Sequence, residues 1–284
     1  MFRTYVQLTK PGIIIGNIIT AAAGFLLASK GHVNLPLLVA TLVGTSLVIG
    51  SACVFNNVID RNIDRVMART KKRALAMGVV NPRAALIYAV ILGLVGFAIL
   101  TAYTNRLVVL VGLAAMIDYV IAYGYWKRKS VYGTLVGSLS GAAPIVAGYL
   151  AVTERIDAGA IILFLIMVVW QMPHFYAIAL RRLSDYAAAG MPVLPAIKGA
   201  RRTKIQIIIY VAAFILAVSA TTIFGYTGYI YLVVMVAAGL VWLVVGTRGL
   251  KAEDDTEWAR RMFVISLVVV MLFSVMLPLG GLIP

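Results

Sequence analysis

The 284-residue chain is poor in acidic side chains, cysteine and histidine. It has only 10 Asp and Glu against 25 Lys and Arg, two His, and one cysteine, Cys53. A single cysteine excludes an internal disulfide and any metal site built on several cysteines. Because acids are so few, each one near an apolar segment becomes a candidate for function.

Hydrophobic residues make up 62% of the sequence, too many for a soluble domain. They recur in runs long enough to cross a bilayer, so the sequence predicts an all-α, polytopic membrane protein with nine transmembrane helices. The first run could instead belong to a targeting peptide, but it is long and eight more follow it. The runs lie near 13–29, 35–57, 82–102, 107–126, 133–153, 158–180, 205–225, 227–247 and 262–283.

The basic residues are divided unevenly between alternate connections. With a cytoplasmic N-terminus, only Lys30, Arg106 and Arg155 of the 25 Lys and Arg fall on the opposite side. We therefore expect a cytoplasmic N-terminus, and we attribute the net charge of +15 to topology and to phosphate or lipid contacts, not to nucleic acid.

The two longest cytoplasmic connections, about 58–82 and 181–204, follow the second and the sixth predicted span. In each, an acid at the membrane edge precedes a run of basic residues. This layout predicts two four-helix halves plus a ninth helix, with a cavity between the halves beneath two charged loops.

Three oxygen-bearing side chains at the end of the second run, Asn56, Asp60 and Asp64, are spaced four residues apart. On a helix this spacing places them on one face. Their hard oxygens suit Mg²⁺, and the basic residues that follow suit the phosphates that Mg²⁺ accompanies. A helix end stabilised by Asp to Arg or Lys pairs is the competing interpretation.

A second candidate region runs from Trp170 to Pro195. Pro173 removes a backbone donor inside a predicted span, which predicts a kink there. For His174 two roles stay open, a hydrogen-bonded packing residue or a contact to a cofactor-like substrate. We expect Asp118, which lies alone in the fourth span, to be protonated or bonded to a tyrosine hydroxyl.

Together these features favour intramembrane prenyl transfer. A diphosphate neutralised by metal and basic side chains is a good leaving group, and aromatic faces can stabilise the resulting allylic cation. Two alternatives remain: transfer to an aromatic quinone precursor, and a membrane carrier whose acids bind a coupling ion. The clustering of ionisable groups at the cytoplasmic edge disfavours a carrier.

The motif from Asn56 to Asp64, with the basic stretch Arg69 to Arg73, resembles the first aspartate-rich motif of the UbiA-type intramembrane prenyltransferases. Further segments resemble the branch of that family that farnesylates heme. They are Thr9-Lys10-Pro11-Gly12, Val54-Phe55-Asn56-Asn57, Tyr132-Gly133-Thr134, Gly141-Ala142-Ala143-Pro144, Trp170-Gln171-Met172-Pro173-His174 and Asp185-Tyr186.

The resemblance implies one transmembrane prenyltransferase domain over 1–284, in a bacterial cytoplasmic (inner) membrane with its active site toward the cytoplasm. It implies transfer of the farnesyl group of farnesyl diphosphate to a vinyl group of heme B with addition of water, giving heme O and diphosphate. Heme B is then a substrate, and Mg²⁺ is the cofactor. Membrane lipid and a terminal oxidase, reached directly or through a heme A synthase, are the implied partners.

The resemblance also assigns roles to residues. It implies that Asn56, Asp60 and Asp64 hold Mg²⁺, and that Asp60, Asp64, Asp185, Lys72 and Arg73 form the catalytic set. A second Mg²⁺ is not expected, because Ala177 and Arg181 stand where relatives carry further acids. The remaining implied contacts to substrate are Arg69, Lys127, Arg128 and Lys198. From their positions we add Tyr123 at the mouth of the cavity, and His174 and Arg181 as candidate contacts to heme.

Overall fold

The computed structural model describes residues 2–283, and all regular structure in that range is helical. Nine of these helices are long and apolar enough to cross a membrane, which confirms the predicted number for residues 2–283. We number them α1 to α9: Pro11–Ser29, Leu35–Val66, Pro82–Tyr103, Arg106–Trp126, Gly133–Thr153, Ala158–Arg181, Leu194–Ile223, Tyr229–Arg248 and Asp255–Leu282. Two short helices, Phe2–Leu8 and Leu183–Ala188, lie outside the spans.

Polar caps fix where many of the spans begin. A side-chain oxygen before the helix accepts a hydrogen bond from a backbone N–H of the first turn, which would otherwise be unpaired. At α2 this oxygen belongs to Asn34 and accepts from Leu37 at 3.1 Å, and at α3 it belongs to Asn81 and accepts from Arg83 at 2.8 Å. The caps of the other spans that begin in this way are Asn105, Asp157 and Asp254.

Three helices extend beyond the apolar runs that predicted them. Helix α2 continues to Val66 instead of ending at 57, α7 begins at Leu194 instead of 205, and α9 begins at Asp255 instead of 262. The predicted bounds followed the apolar runs, which stop at the first charged residues. The helices themselves continue, because backbone hydrogen bonds can form there while the polar side chains reach water or a partner. The predicted loops 58–82 and 181–204 are therefore partly helical.

Proline does not end the spans in which it occurs. Helix α6 continues from Ala158 to Arg181 through Pro173, so the predicted kink does not divide it. Non-helical backbone occurs instead inside α7, at Gly199, where φ is 79°. This positive φ suits glycine because it has no Cβ.

The spans pack across the two predicted halves as well as within them. Helices α1 and α4 both pack against α5, the first span of the second half, and α2 packs along α3. Helix α6 contacts α5 and α7, and α9 lies against α1, α6 and α8. The helices thus form one bundle, and the cavity described below lies within it.

Apolar side chains both fill the interior and cover the outside of the bundle. Phe25 and Trp242 are fully buried, whereas Leu94, Leu216 and Val233 are 67%, 74% and 67% exposed. Burial of such an outer surface requires lipid, since contiguous exposed apolar area of this extent is not found on soluble monomers. The chain is therefore an integral membrane protein.

Two glycines let α1 and α5 approach backbone to backbone. A Cβ at Gly148 of α5 would overlap the carbonyl oxygen of Ala21, and a Cβ at Gly24 of α1 would overlap that of Ile145. Close approach through small residues is a common way to pack helices in membranes. It brings together two of the helices that line the cavity.

We expect Gly148→Val to lower the thermal unfolding temperature of the purified protein in detergent. The added side chain must push two backbones apart, and overpacking typically costs about 1–3 kcal/mol. Gly124→Ala is the control, because a Cβ at Gly124 meets nothing within 4 Å. Equal unfolding temperatures for the two variants would contradict the close contact.

Candidate active site

A cavity of about 750 Å³ lies within the bundle, in the size range of small-molecule sites. Its lining comes from α1, α2, α4, α5, α6 and α9, from Leu100 of α3, and from the connections that follow α2, α4 and α6. One end carries the acidic and basic side chains, and the remainder is largely apolar and aromatic. Nine of the thirteen predicted site residues line it: Asn56, Asp60, Asp64, Arg69, Arg73, Tyr123, Lys127, His174 and Arg181.

The predicted metal-binding side chains share one buried face of α2. Asn56, Asp60 and Asp64 are only 4%, 9% and 4% exposed, and all three line the charged end of the cavity. Their four-residue spacing within an unbroken helix accounts for this alignment. The sequence motif thus corresponds to a real cluster of oxygens.

Lys127, just after α4, binds two of these three side chains. Its Nζ donates to Asn56 Oδ1 at 2.7 Å and to Asp60 Oδ2 at 2.5 Å, and it lies 4.9 Å from the centre of the Tyr123 ring. Arg128 donates to the other oxygen of Asp60 at 2.8 Å. Burial lowers the pKa of the Lys127 ammonium, and the neighbouring Asp60 carboxylate opposes that shift.

Arg73 neutralises Asp64. Its Nη1 lies 3.0 and 2.9 Å from the two carboxylate oxygens, and also contacts Asn57 Oδ1 at 3.5 Å. The hydroxyl of Thr70 donates to the Asp64 carbonyl at 3.1 Å. These contacts fold the segment after α2 back over the end of the helix, which places its basic residues beside the acids.

The other four predicted site residues do not line the cavity. Arg128 reaches it only through Asp60, while Lys72 and Lys198 are exposed. Asp185 instead accepts a hydrogen bond from the backbone N–H of Ala68 at 3.2 Å, which joins the connection after α6 to the connection after α2. The roles implied for these four side chains therefore remain predictions.

A π-helical turn at Asp118–Ala122 interrupts α4 beside the cavity. Turns of this kind are frequent at functional sites. Tyr119, within this turn, and Tyr123, directly after it, form a stacked pair with ring centres 5.5 Å apart, and both line the cavity. Asp118 accepts a hydrogen bond from the backbone N–H of Ser140 at 3.2 Å, so the predicted tyrosine partner was wrong.

Glycines of α5 provide the space for two of the lining side chains. A Cβ at Gly137 would come within 2.7 Å of the Tyr123 ring, and a Cβ at Gly141 would overlap the Gln171 side chain. Gln171 donates to the Ser138 carbonyl at 3.0 Å. The glycines thus fix how α4 and α6 present these side chains to the cavity.

The opposite wall is an aromatic cluster contributed by α6 and α9. The ring of His174 stacks on Trp170, with centres 5.0 Å apart, and lies 4.9 Å from Phe263. Trp170 donates to the carbonyl of Ser266 at 2.9 Å. Both roles left open for His174 are thus compatible with its position, since it is packed and also lines the cavity.

Sequence reasoning missed Lys10 as a site residue. Lys10 precedes α1 with a left-handed backbone (φ 55°), and its side chain lines the cavity. Burial lowers its pKa from 10.5 to about 8, and the nearby Arg73 and Lys127 add to that effect. The signal available in the sequence was a cation immediately before the first apolar run, followed by proline.

The donor set fits a divalent metal shared with a phosphate ligand. Within the described residues 2–283 no cluster of three or more His, Cys, Asp or Glu exists that could hold an ion alone. Asn56, Asp60 and Asp64 supply an amide and two carboxylates, and Mg²⁺ commonly takes one or two carboxylates with its other positions filled by water and substrate phosphates. Two acids, Asp60 and Asp64, are accompanied by five cations, so positive charge is left for such phosphates. The cations are Lys10, Arg69, Arg73, Lys127 and Arg128.

Comparisons of the sequence with a family model and with known proteins both find prenyltransferases. The model of the UbiA prenyltransferase family matches residues 17–268. Protoheme IX farnesyltransferase of Yersinia pseudotuberculosis serotype O:1b is 52% identical over 278 residues, 98% of this chain and 94% of the relative. The protein of the same name from Photorhabdus laumondii is 52% identical over 285 residues, 100% of this chain and 97% of the relative.

Solved structures share the fold at lower identity. A digeranylgeranylglyceryl phosphate synthase has a TM-score of 0.82 at 17% identity, covering 99% of this chain and 98% of the other. A UbiA homologue from Archaeoglobus fulgidus bound to GPP and Mg²⁺ has a TM-score of 0.74 at 17% identity, covering 96% and 99%. These similarities extend over nearly the whole bundle.

We expect the amine of Lys10 to be acylated with an inflection near pH 8, because its pKa is lowered to about 8. The uncharged, nucleophilic form therefore appears on the alkaline side of that pH, where an ordinary lysine remains protonated. Labelling with a small acylating reagent at several pH values, followed by peptide mass spectrometry, measures the pH of this inflection. Free Nα-acetyl-lysine serves as the reference. An inflection at the pH of the free amino acid would contradict the burial of Lys10.

Proposed function

The chain belongs to the UbiA prenyltransferase family, and from that premise we propose that it transfers a farnesyl group from farnesyl diphosphate to a vinyl group of heme B, giving heme O and diphosphate. The main support is 52% identity over nearly the full length to relatives named protoheme IX farnesyltransferase. The cavity agrees with this reaction because a charged end and an aromatic wall face the same space.

The charged end would receive the diphosphate. Arg69, Arg73 and Lys127 line it, and Lys10 adds a fourth cation. Cationic side chains form strong, charge-assisted hydrogen bonds to phosphate oxygens, and they stabilise negative charge where it develops on the leaving group. We therefore assign these four residues to binding of the diphosphate.

Asn56, Asp60 and Asp64 would hold Mg²⁺ against that diphosphate, as the Mg²⁺-bound structure of the A. fulgidus homologue suggests by analogy. When bound, the metal would neutralise charge on the departing diphosphate. Lys127 Nζ lies on the same oxygens of Asn56 and Asp60 that the metal would use. Lys127 must therefore release them and becomes free to bind a phosphate oxygen.

Ionisation breaks the bond between the allylic carbon and diphosphate oxygen, and the electron pair leaves with the diphosphate. The stacked rings of Tyr119 and Tyr123 lie next to this end and can stabilise the allylic cation through their faces. Apolar side chains along α4, including Val111, Ala115 and Met116, would hold the prenyl chain and limit access of water.

The aromatic wall would receive heme B. Attack of the terminal vinyl carbon on the farnesyl cation forms the new C–C bond and moves the positive charge to the inner vinyl carbon. Water adds to that carbon and loses a proton, which yields the hydroxyethylfarnesyl group. Trp170, His174 and Phe263 offer flat surfaces to a porphyrin, and Arg181 and Arg182 offer cations to its propionates.

Orientation and location follow from the charge distribution. We propose that the N-terminus and the charged end of the cavity face the cytoplasm of a bacterial cell, where farnesyl diphosphate is soluble, and that the whole chain forms one domain in the inner membrane. Heme O, the membrane-soluble product, would then pass to a terminal oxidase or to a heme A synthase.

Incubation of purified protein with Mg²⁺, farnesyl diphosphate and heme B tests the proposal. Mass spectrometry should detect the hydroxyethylfarnesyl heme, and a chelator should abolish it. A prenylated small aromatic acid with no heme product would refute the choice of heme B as acceptor.

Asp60→Asn should reduce kcat at least about 10²-fold, since it removes a ligand charge from the metal site. The same preparation should show unchanged gel-filtration behaviour and helical content, because Asn is isosteric with Asp. Turnover near the wild-type rate, from protein that behaves normally, would exclude the assignment of Asp60 to the metal.

Arg181→Glu should weaken heme B binding by about tenfold or more, because the substitution replaces a cation near the anionic propionates with an anion. Arg202→Glu makes the same change at an exposed residue that does not line the cavity. Fluorescence quenching by heme B measures both, and equal affinities for the two variants would place the propionates elsewhere.

A further inference from the structure

The imidazole of His174 is held by Ser266 of α9. His174 Nδ1 and Ser266 Oγ lie 2.7 Å apart, and the same hydroxyl donates to the carbonyl of Phe263 at 2.6 Å. A serine hydroxyl has one proton to donate. When that proton lies on the bond to Phe263, Oγ accepts from His174 Nδ1.

This arrangement favours one tautomer of the neutral His174 ring. In it Nδ1 donates a hydrogen bond to Ser266, and Nε2 carries a lone pair. An outer hydrogen bond of this kind is how proteins set which histidine nitrogen is free to coordinate a metal.

The ring is also held in a fixed plane. It stacks on Trp170 at an interplanar angle of 24° and contacts the Phe263 ring at 32°, and Trp170 is itself bonded to the Ser266 carbonyl. Ser266 therefore holds both Trp170, through its backbone, and His174, through its hydroxyl. A coordinating nitrogen on such a ring would be pre-oriented.

Nε2 makes no hydrogen bond to any side chain or backbone group in residues 2–283. It is not among the buried unpaired atoms of that range, and His174 lines the cavity. Nε2 is thus open to the cavity, and its lone pair is available to a partner bound there.

Arg181 gives this partner a second point of attachment. It is seven residues, about two turns, from His174, which places both on one face of α6 about 10 Å apart along the axis. Both line the cavity. This separation is comparable to that between the iron of a heme and its propionate carboxylates.

We propose that Nε2 of His174 is an axial ligand to the iron of the porphyrin substrate, and that Ser266 is the positioning residue that keeps this nitrogen unprotonated. The inference rests on heme B being the acceptor and goes beyond it, since prenylation of a vinyl group does not itself require a bond to iron. Coordination would fix the porphyrin plane, and with it the position of the vinyl group relative to the prenyl cation.

Resonance Raman spectra of the reduced protein with bound heme B, without farnesyl diphosphate, test the coordination. The wild type should show an iron–histidine stretching band. His174→Ala should lack the band, bind heme about tenfold less tightly and recover an iron–nitrogen band when imidazole is added. His32→Ala, which removes the chain's other histidine, should keep the wild-type band.

Ser266→Ala should shift the iron–histidine band and weaken heme binding, because the ring loses its acceptor at Nδ1. Ser274→Ala is the matched control on the same helix, since its hydroxyl donates to Val270 and does not contact His174. A wild-type spectrum from Ser266→Ala would refute the positioning role.

Heme bound by the wild type without the band, or with a band that survives in His174→Ala, would overturn the coordination while leaving farnesyl transfer to heme intact. Failure of the wild-type protein to bind heme B would instead overturn both. The spectrum of the wild-type protein is decisive even if a variant does not fold.

Discussion

The structure of the site depends on neutralising two carboxylates at the edge of an apolar bundle. A carboxylate at membrane depth costs about 2.5–3.5 kcal/mol on insertion scales, so Asp60 and Asp64 need charged partners. Lys127 and Arg128 come from the end of α4, and Arg73 comes from the segment after α2. These pairs tie the end of α2 to the segments that follow α2 and α4, and two of the cations, Arg73 and Lys127, are among those we assign to the diphosphate.

The cavity divides into two walls with different chemistry. Helix α2 provides the oxygens, α4 provides the stacked tyrosines, and the segments before α1 and after α2 and α4 provide the cations, which together suit an allylic diphosphate. Helices α6 and α9 provide the aromatic cluster around His174, which suits a flat acceptor. Helix α5 lies between them, and its glycines at 137 and 141 admit Tyr123 and Gln171. The two substrates can therefore meet in one water-poor space without sharing binding groups.

Part of this site could be read from local spacing. Asn56, Asp60 and Asp64 were correctly placed on one face because four-residue spacing determines direction on a helix. Lys72 and Lys198 were selected by the resemblance and from basic runs, yet both are exposed, since charge composition does not determine which way a side chain points in an irregular segment. Lys10 was passed over because its burial depends on helices that are distant in sequence.

The sequence by itself determined the membrane class, the nine spans and the acidic motif, because hydrophobic length and helical periodicity are local properties of the chain. Only the tertiary structure decided which cation pairs with which acid, that Asp118 accepts a hydrogen bond from the backbone N–H of Ser140, and that His174 is hydrogen-bonded to Ser266. These contacts join residues 22 and 92 positions apart. No local pattern encodes such pairs, because they arise from the way whole helices pack.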